Sequence, residues 1–153
     1  MHIAWQYLDK RSAALCALKD YESMNHILSH SEAERIAIRE HMEGIPSSLP
    51  SAIPRGARNP RAGEDRLISG LDKMNELAAR RQQAQAYMDW FQPAWDALSE
   101  EERYVLSQFY QREEGRQTDG LYEICDRFHI ERSSAYKKKD RALAHLTVLL
   151  YGR

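Results

Sequence analysis

Apolar residues recur every three or four positions through most of the chain, which is the period of an amphipathic helix. Residues 64–92 keep this spacing along most of their length. No segment shows the apolar–polar alternation that is typical of strands. The pattern therefore predicts an all-α protein. We interpret one apolar stripe as core rather than as a ligand site, and it consists of Leu67, Leu71, Met74, Leu77, Ala78, Ala84, Met88 and Phe91.

Helix ends are indicated by short polar signals. A first helix is predicted over residues 3–28, where one side carries Trp5, Leu8, Leu15 and Leu18. Ser31 and Glu34 have the spacing of a capping box, in which hydroxyl and carboxylate satisfy each other's backbone donors. This predicts either a second helix over residues 31–43 or a kink in one long helix. Pro93 is expected to bend or end the helix that precedes it.

Proline and glycine concentrate in residues 44–63, which hold four of the five prolines and three of the seven glycines. We therefore predict a long, mobile loop over residues 44–64. The helices on either side would pack as an antiparallel hairpin within residues 1–96. The loop also carries three arginines that either keep it soluble or reach into a DNA groove, namely Arg55, Arg58 and Arg61.

The last third of the chain predicts a separate domain of short helices over residues 97–153. Ser99 and Glu102 form a second capping-box sequence, and Gln111–Gly120 is polar enough to be a loop. The helix that follows is short and carries Leu121, Ile124, Cys125 and Phe128. After about four residues, another helix is predicted from Arg132 to about Leu150. Three short helices with tight joints are typical of a helix-turn-helix.

On a helical wheel, residues 132–150 separate into two faces. The apolar face consists of Ala135, Ala142, Leu146 and Leu149, with Leu143 beside them. Ser133, Lys137 and Arg141 recur on the opposite face. Residues 127–141 hold six basic residues against two acidic ones, in a chain whose net charge is −1.

A helix with this charge distribution fits the major groove of DNA, where flanking cations neutralise phosphates and a lysine or arginine contacts a guanine edge. The alternative is a basic face that is merely solvated. The short helix and tight turn before it favour DNA contact.

Three stretches of this region resemble region four of bacterial sigma factors, the domain that reads the promoter −35 element. They are residues 98–106 (LSEEERYVL), 122–130 (YEICDRFHI) and 132–146 (RSSAYKKKDRALAHL). The resemblance covers residues 97–150 and is nearest to phage- and prophage-borne regulators that use this domain. It implies a regulator rather than a complete sigma factor, because residues 1–92 do not resemble the other sigma regions.

The resemblance also implies roles for individual residues. The supporting helix would be Leu121–Phe128 and the recognition helix Arg132–Leu150. Bases would be contacted by Ser133, Ser134, Lys137 and Arg141, and phosphates or sugars by Arg132, Tyr136 and Lys138. Two positions depart from the family pattern: His129 stands where glycine is usual in the turn, and Glu131 stands where Ser or Thr usually caps the helix.

Other function classes receive little support. His26 and His30 could coordinate a metal ion from one helix face, with Glu34 or His41 as further ligands. A polar helix surface explains these residues better. Cys16 and Cys125 have no neighbouring Cys or His motif. With no phosphate loop or nucleophile motif in the sequence, we expect neither an enzyme nor a cofactor.

The expected partners are duplex DNA, with RNA polymerase as a further candidate, and a second copy bound through the N-terminal helices. No signal peptide or membrane span is visible, which predicts a cytoplasmic protein. Two alternatives remain open. The C-terminal domain could dock on RNA polymerase or another protein instead of DNA, or the chain could be the DNA-binding small subunit of a phage packaging enzyme.

Overall fold

Five helices make up the part of the chain that a computed structural model describes, which is residues 9–44, 61–112 and 117–152. They are α1 (Lys10–Glu43), α2 (Ala62–Ala97), α3 (Glu100–Tyr110), α4 (Gln117–Phe128) and α5 (Arg132–Tyr151). The predicted all-α fold class is confirmed. None of the described helices has an apolar stretch long enough to cross a membrane.

The first helix runs without interruption through Ser31, so the predicted second helix starting there is wrong. Ser31 is buried, and its hydroxyl donates to the carbonyl of Leu28 instead of capping a new helix. A serine in the interior of a helix can bond its hydroxyl back to the preceding turn in this way. Trp5 and Leu8 lie outside the described residues, whereas Leu18 is fully buried as expected.

The second helix also differs from its predicted ends. It begins at Ala62, so the last residues assigned to the loop over 44–64 are helical, whereas most of that loop lies outside the described residues. Pro93 lies inside the helix and does not end it. Pro93 is exposed, whereas its neighbours Phe91, Ala94 and Trp95 are buried. The packing of these neighbours stabilises the helix on both sides of the proline.

Two compact units divide the contacts of the chain, and the division differs from the predicted 1–96 and 97–153. One unit is Asn25–Gln85, and the other joins Met1–Met24 to Ala86–Arg153. In the Asn25–Gln85 unit, α1 and α2 are linked by an ion pair in which Arg80 Nη2 lies 2.9 Å from Glu34 Oε1. Gly70 is buried close to Met42. Leu67 and Leu71, which were predicted to be core, are 49% and 50% exposed.

The other unit contains a mixed aromatic and aliphatic core. The side chain of Phe91 is completely buried, and its ring stacks on Tyr87 with 5.3 Å between centroids. Tyr87 donates its hydroxyl proton to the carbonyl of Ala17, and burial raises the pKa of that hydroxyl. The buried members of this cluster come from α1, the end of α2, the joint that follows it, α3 and α5: Ala14, Ala17, Leu18, Phe91, Ala94, Trp95, Leu98, Leu106, Ala142, Leu143, Leu146 and Leu150.

Candidate nucleic-acid interface

The helices α3, α4 and α5 share a small apolar core of their own. Its buried members are Val105, Phe109, Leu121, Ile124 and Ala135. Helix α4 starts at Gln117, so the end of the predicted Gln111–Gly120 loop is helical. A close approach of α3 and α4 requires glycine at position 120, because a Cβ there would lie 2.3 Å from the backbone oxygen of Gln108.

A tight turn joins α4 to α5. His129 adopts a left-handed conformation with a φ of 51°, as the glycine-like position in the resemblance implied. The Ile130 N–H donates to the carbonyl of Cys125 at 3.1 Å, which satisfies an end carbonyl of α4 in the manner of a Schellman motif. Glu131 caps α5 with extended backbone but makes no side-chain capping hydrogen bond. The turn therefore forms despite two residues that suit it less well than the usual ones.

The apolar face of α5 packs inward along the whole helix. Its first half contributes Ala135 to the small core of α3–α5, and its second half contributes Leu143 and Leu146 to the larger cluster. Leu149 was assigned to this face but is 37% exposed, and Leu150 is buried in its place. Leu150 lies four residues after Leu146, on the same side of the helix, and is buried in the same cluster.

The opposite face of α5 is open to solvent. Ser133, Lys137 and Arg141 are exposed and recur at four-residue intervals, so their side chains form one row. Ser134 is partly buried at the edge of this row. Within residues 9–44, 61–112 and 117–152, no carboxylate forms an ion pair with Lys137 or Arg141. The row, which we call the recognition row, therefore presents hydroxyl and cationic donors to solvent.

Cations beside the recognition row are held in place by other side chains. Arg132 donates from Nη2 to the hydroxyl of Tyr122, and its guanidinium carbon lies 4.8 Å from the centroid of that ring. Lys138 Nζ lies 3.1 Å from a carboxylate oxygen of Glu101 and 4.4 Å from the centroid of the Phe128 ring. The ion pair neutralises part of the charge that we had expected Lys138 to offer to phosphates.

Tyr136 and its neighbours form the other border of the recognition row. Tyr136 is 47% exposed and its ring lies 5.7 Å from that of Phe109. Lys139 Nζ lies 5.2 Å from the centroid of the Tyr136 ring. Asp140 pairs with Arg11 of α1 at 2.7 Å, which ties the middle of α5 to the N-terminal helix. This border is therefore fixed by contacts from α1 and α3.

The start of α3 contacts α5 on the Lys138 side. Ser99 and Glu102 form the predicted capping box, with each side chain bonded to the other residue's backbone N–H. Glu102 also accepts a hydrogen bond from His145 of α5 at 2.9 Å. Although partial burial opposes it, these hydrogen bonds hold the pKa of the Glu102 carboxyl below its usual value. Arg141 borders the shallow cleft that lies between these two helices.

Sequence reasoning missed the residues that position the cations. Tyr122, Phe128 and Glu101 come from α3 and α4, and each contacts a basic residue of α5. Tyr122 carries one signal that is visible in the sequence, since it is a large aromatic residue on the polar side of a short amphipathic helix.

The remaining candidate sites are the histidines of α1, the two cysteines and the arginines of the predicted loop. The rings of His26 and His30 stack at 3.9 Å, but no group of three or more potential metal ligands occurs among the described residues. Cys16 and Cys125 are free thiols. Of the loop arginines, only Arg61 is described, and it is exposed, whereas Arg55 and Arg58 lie outside the described residues.

Three comparisons with known proteins were negative. No protein-family model, no curated protein and no solved structure matches the chain. The helices, the turn at His129 and the recognition row are therefore the observations on which a function can be based.

Proposed function

We propose that this chain is a sequence-specific, duplex-DNA-binding regulator of transcription whose reading domain is α3–α5. The observation that carries the proposal is the recognition row: Ser133, Lys137 and Arg141 lie exposed on the face of α5 that is opposite its buried residues. Such a helix fits the width of the major groove. The resemblance to sigma region four supports a promoter-reading role, and a cytoplasmic regulator would meet its DNA there.

The roles of the residues follow from how firmly each is held. Lys137 and Arg141 have no ion-pair partner among the described residues, so they can adapt to base edges. Ser133 is small enough to allow close approach at the start of α5, with Ser134 beside it. Arg132, Tyr136 and Lys138 border the row, and under this proposal they contact phosphates or sugars. Phosphate contacts position a protein on DNA, whereas base contacts select the sequence.

Alanine at Lys137 or Arg141 should weaken specific DNA binding by about 1–3 kcal/mol, because each substitution removes a base-edge donor. The measurement is fluorescence anisotropy of a labelled duplex that has been selected from a random library with the full-length protein. Lys73→Ala on α2 is the matched control, since it removes the same charge from an exposed position outside the reading domain.

Three results would distinguish the possibilities. Loss of affinity in both reading-domain variants but not in Lys73→Ala supports the proposal. If all three variants bind DNA as tightly as the wild type, the recognition row does not contribute to DNA binding. If the full-length protein does not bind DNA even at low salt, the DNA-binding proposal is wrong. The basic helix would then be a candidate for docking on a protein such as RNA polymerase.

We further propose that two copies associate through the N-terminal helices. Leu67, Ile68 and Leu71 are about half exposed and are neighbours on the surface of α2. Apolar side chains that cluster on a surface are typical of association sites. A twofold dimer would also place two reading domains on one DNA molecule.

Leu71→Glu should shift the protein from dimer to monomer at micromolar concentration, because it would bring a charge into the apolar contact. Sedimentation equilibrium measures the change. Gln83→Glu adds the same carboxylate to an exposed position of α2 and should leave the dimer intact. A wild-type protein that sediments as a monomer at this concentration would contradict the proposal.

A further inference from the structure

Tyr122 is an exposed aromatic residue of α4 that neither the resemblance nor the recognition row assigns to a function. It is 46% exposed, so burial alone does not explain a tyrosine at this position. Its hydroxyl accepts a hydrogen bond from Nη2 of Arg132, and the guanidinium lies over its ring. The two residues belong to different helices of the reading domain. Their contact bridges the supporting helix and the first turn of α5.

This contact leaves several donors available on the same surface. The Tyr122 hydroxyl uses a lone pair to accept from Arg132, so its own proton remains available for donation. A guanidinium has five N–H donors, and only one of them is used by Tyr122. Both side chains are exposed. The pair therefore presents one neutral and several charged donors side by side, and no carboxylate among the described residues forms an ion pair with Arg132.

We propose that Tyr122 and Arg132 together bind one backbone phosphate of DNA, adjacent to the recognition row. A phosphate suits the pair because its oxygens accept from an arginine and from a hydroxyl at the same time. The aromatic ring and the hydrogen bond hold the arginine in place before DNA arrives, which reduces the entropy lost on binding. This inference rests on the proposed function, since it assigns a further residue to the same DNA-binding surface.

A second cation of α5 is held differently and does not offer an equivalent site. Lys138 also lies over an aromatic ring, that of Phe128, but its ammonium is paired with Glu101. A phosphate would have to displace or approach that carboxylate, and the two anions repel each other. Arg132 has an uncharged partner instead. The difference identifies the Tyr122–Arg132 pair as the stronger of the two phosphate sites.

The test uses the full-length protein and labelled duplexes of two unrelated sequences, because a phosphate contact is independent of base sequence. Tyr122→Phe, Tyr122→Ala, Arg132→Ala and the double variant Tyr122→Phe/Arg132→Ala are titrated at several salt concentrations. Tyr104→Phe is the matched control, since it removes a hydroxyl from the ring under Arg127 rather than from the one under Arg132. Circular dichroism confirms that each variant is folded.

We expect Tyr122→Phe to bind both duplexes about threefold more weakly and Tyr122→Ala about tenfold more weakly. In the Arg132→Ala background, Tyr122→Phe should have a smaller effect, because the hydroxyl then holds no guanidinium and contributes only its own hydrogen bond to the phosphate. Arg132→Ala should reduce the magnitude of the negative slope of log affinity against log salt by about 0.9, and Tyr122→Ala should also make that slope less steep. A merely structural role of Tyr122 would leave that slope unchanged.

The outcomes separate this inference from the function on which it rests. If the wild type binds DNA and Arg132→Ala weakens binding, but both Tyr122 variants bind like the wild type, the phosphate pair is overturned and the DNA-binding proposal stands. Equal effects of Tyr122→Phe with and without Arg132 would also overturn the pair. If the wild type does not bind either duplex at low salt, both proposals are wrong.

Discussion

Replacing Phe91 with alanine should lower the free energy of unfolding by about 3–5 kcal/mol. Phe91 is completely buried, and its ring contacts Tyr87, Tyr21 and Trp95 with centroid separations of 5.3, 5.5 and 6.0 Å. The substitution removes the side chain around which these aromatic residues pack and leaves a cavity that they can fill only in part. Urea denaturation followed by tryptophan fluorescence and circular dichroism would measure the loss.

Trp90 provides the control because it directly precedes Phe91 in α2 but is 41% exposed. Trp90→Ala also removes a large aromatic side chain, yet less of its surface is withdrawn from water on folding, so a smaller loss is expected. If the two variants lost the same stability, the aromatic cluster would not be centred on Phe91.

A fragment of residues 97–153 should fail to unfold cooperatively and should not bind DNA with the affinity of the whole chain. One face of α5 packs against residues that this fragment lacks. Leu143 and Leu146 belong to the same cluster as Leu18 of α1 and Trp95 of α2. Exposing these two leucines would cost about 1.5–3 kcal/mol each, a large part of the stability of a small domain. Thermal unfolding followed by circular dichroism tests the first expectation, and anisotropy titration tests the second.

A second deletion distinguishes loss of specific packing from loss of chain length. Replacing residues 25–85 with a short glycine–serine linker removes one compact unit and keeps the whole of the other. We expect this shortened protein to unfold cooperatively and to bind DNA, without the patch proposed for dimer formation. Cooperative unfolding and full affinity in the 97–153 fragment would contradict the role given to α1 and α2.

Local signals predicted helix boundaries well only where tertiary packing agreed with them. The same Ser-x-x-Glu pattern begins a helix at Ser99 but not at Ser31. Ser99 is exposed and follows the end of α2, whereas Ser31 is buried in mid-helix and bonds to the preceding turn. Pro93 likewise stays inside α2, where buried neighbours hold the helix on both sides. A short sequence pattern does not contain the burial that decides between these outcomes.

The candidate interface was also only partly predictable from the sequence. The recognition row of Ser133, Lys137 and Arg141 follows from helical periodicity alone, so the wheel was sufficient to predict its exposure. The partners of the flanking cations could not be predicted, because Tyr122 and Glu101 are distant in sequence from the residues that they hold. Which cation is tied to a carboxylate and which to a tyrosine is a property of the packed helices.

The exposed face of α5 can change in sequence without changing the fold. The buried positions, such as Ala135 and Leu146, hold the helix in place, and none of them belongs to the recognition row. Substitutions at Ser133, Lys137 or Arg141 change the donors presented to solvent and alter no buried position. If the recognition row reads DNA as proposed, related chains could therefore differ in the sequences they bind through changes at three positions, at little expense to stability.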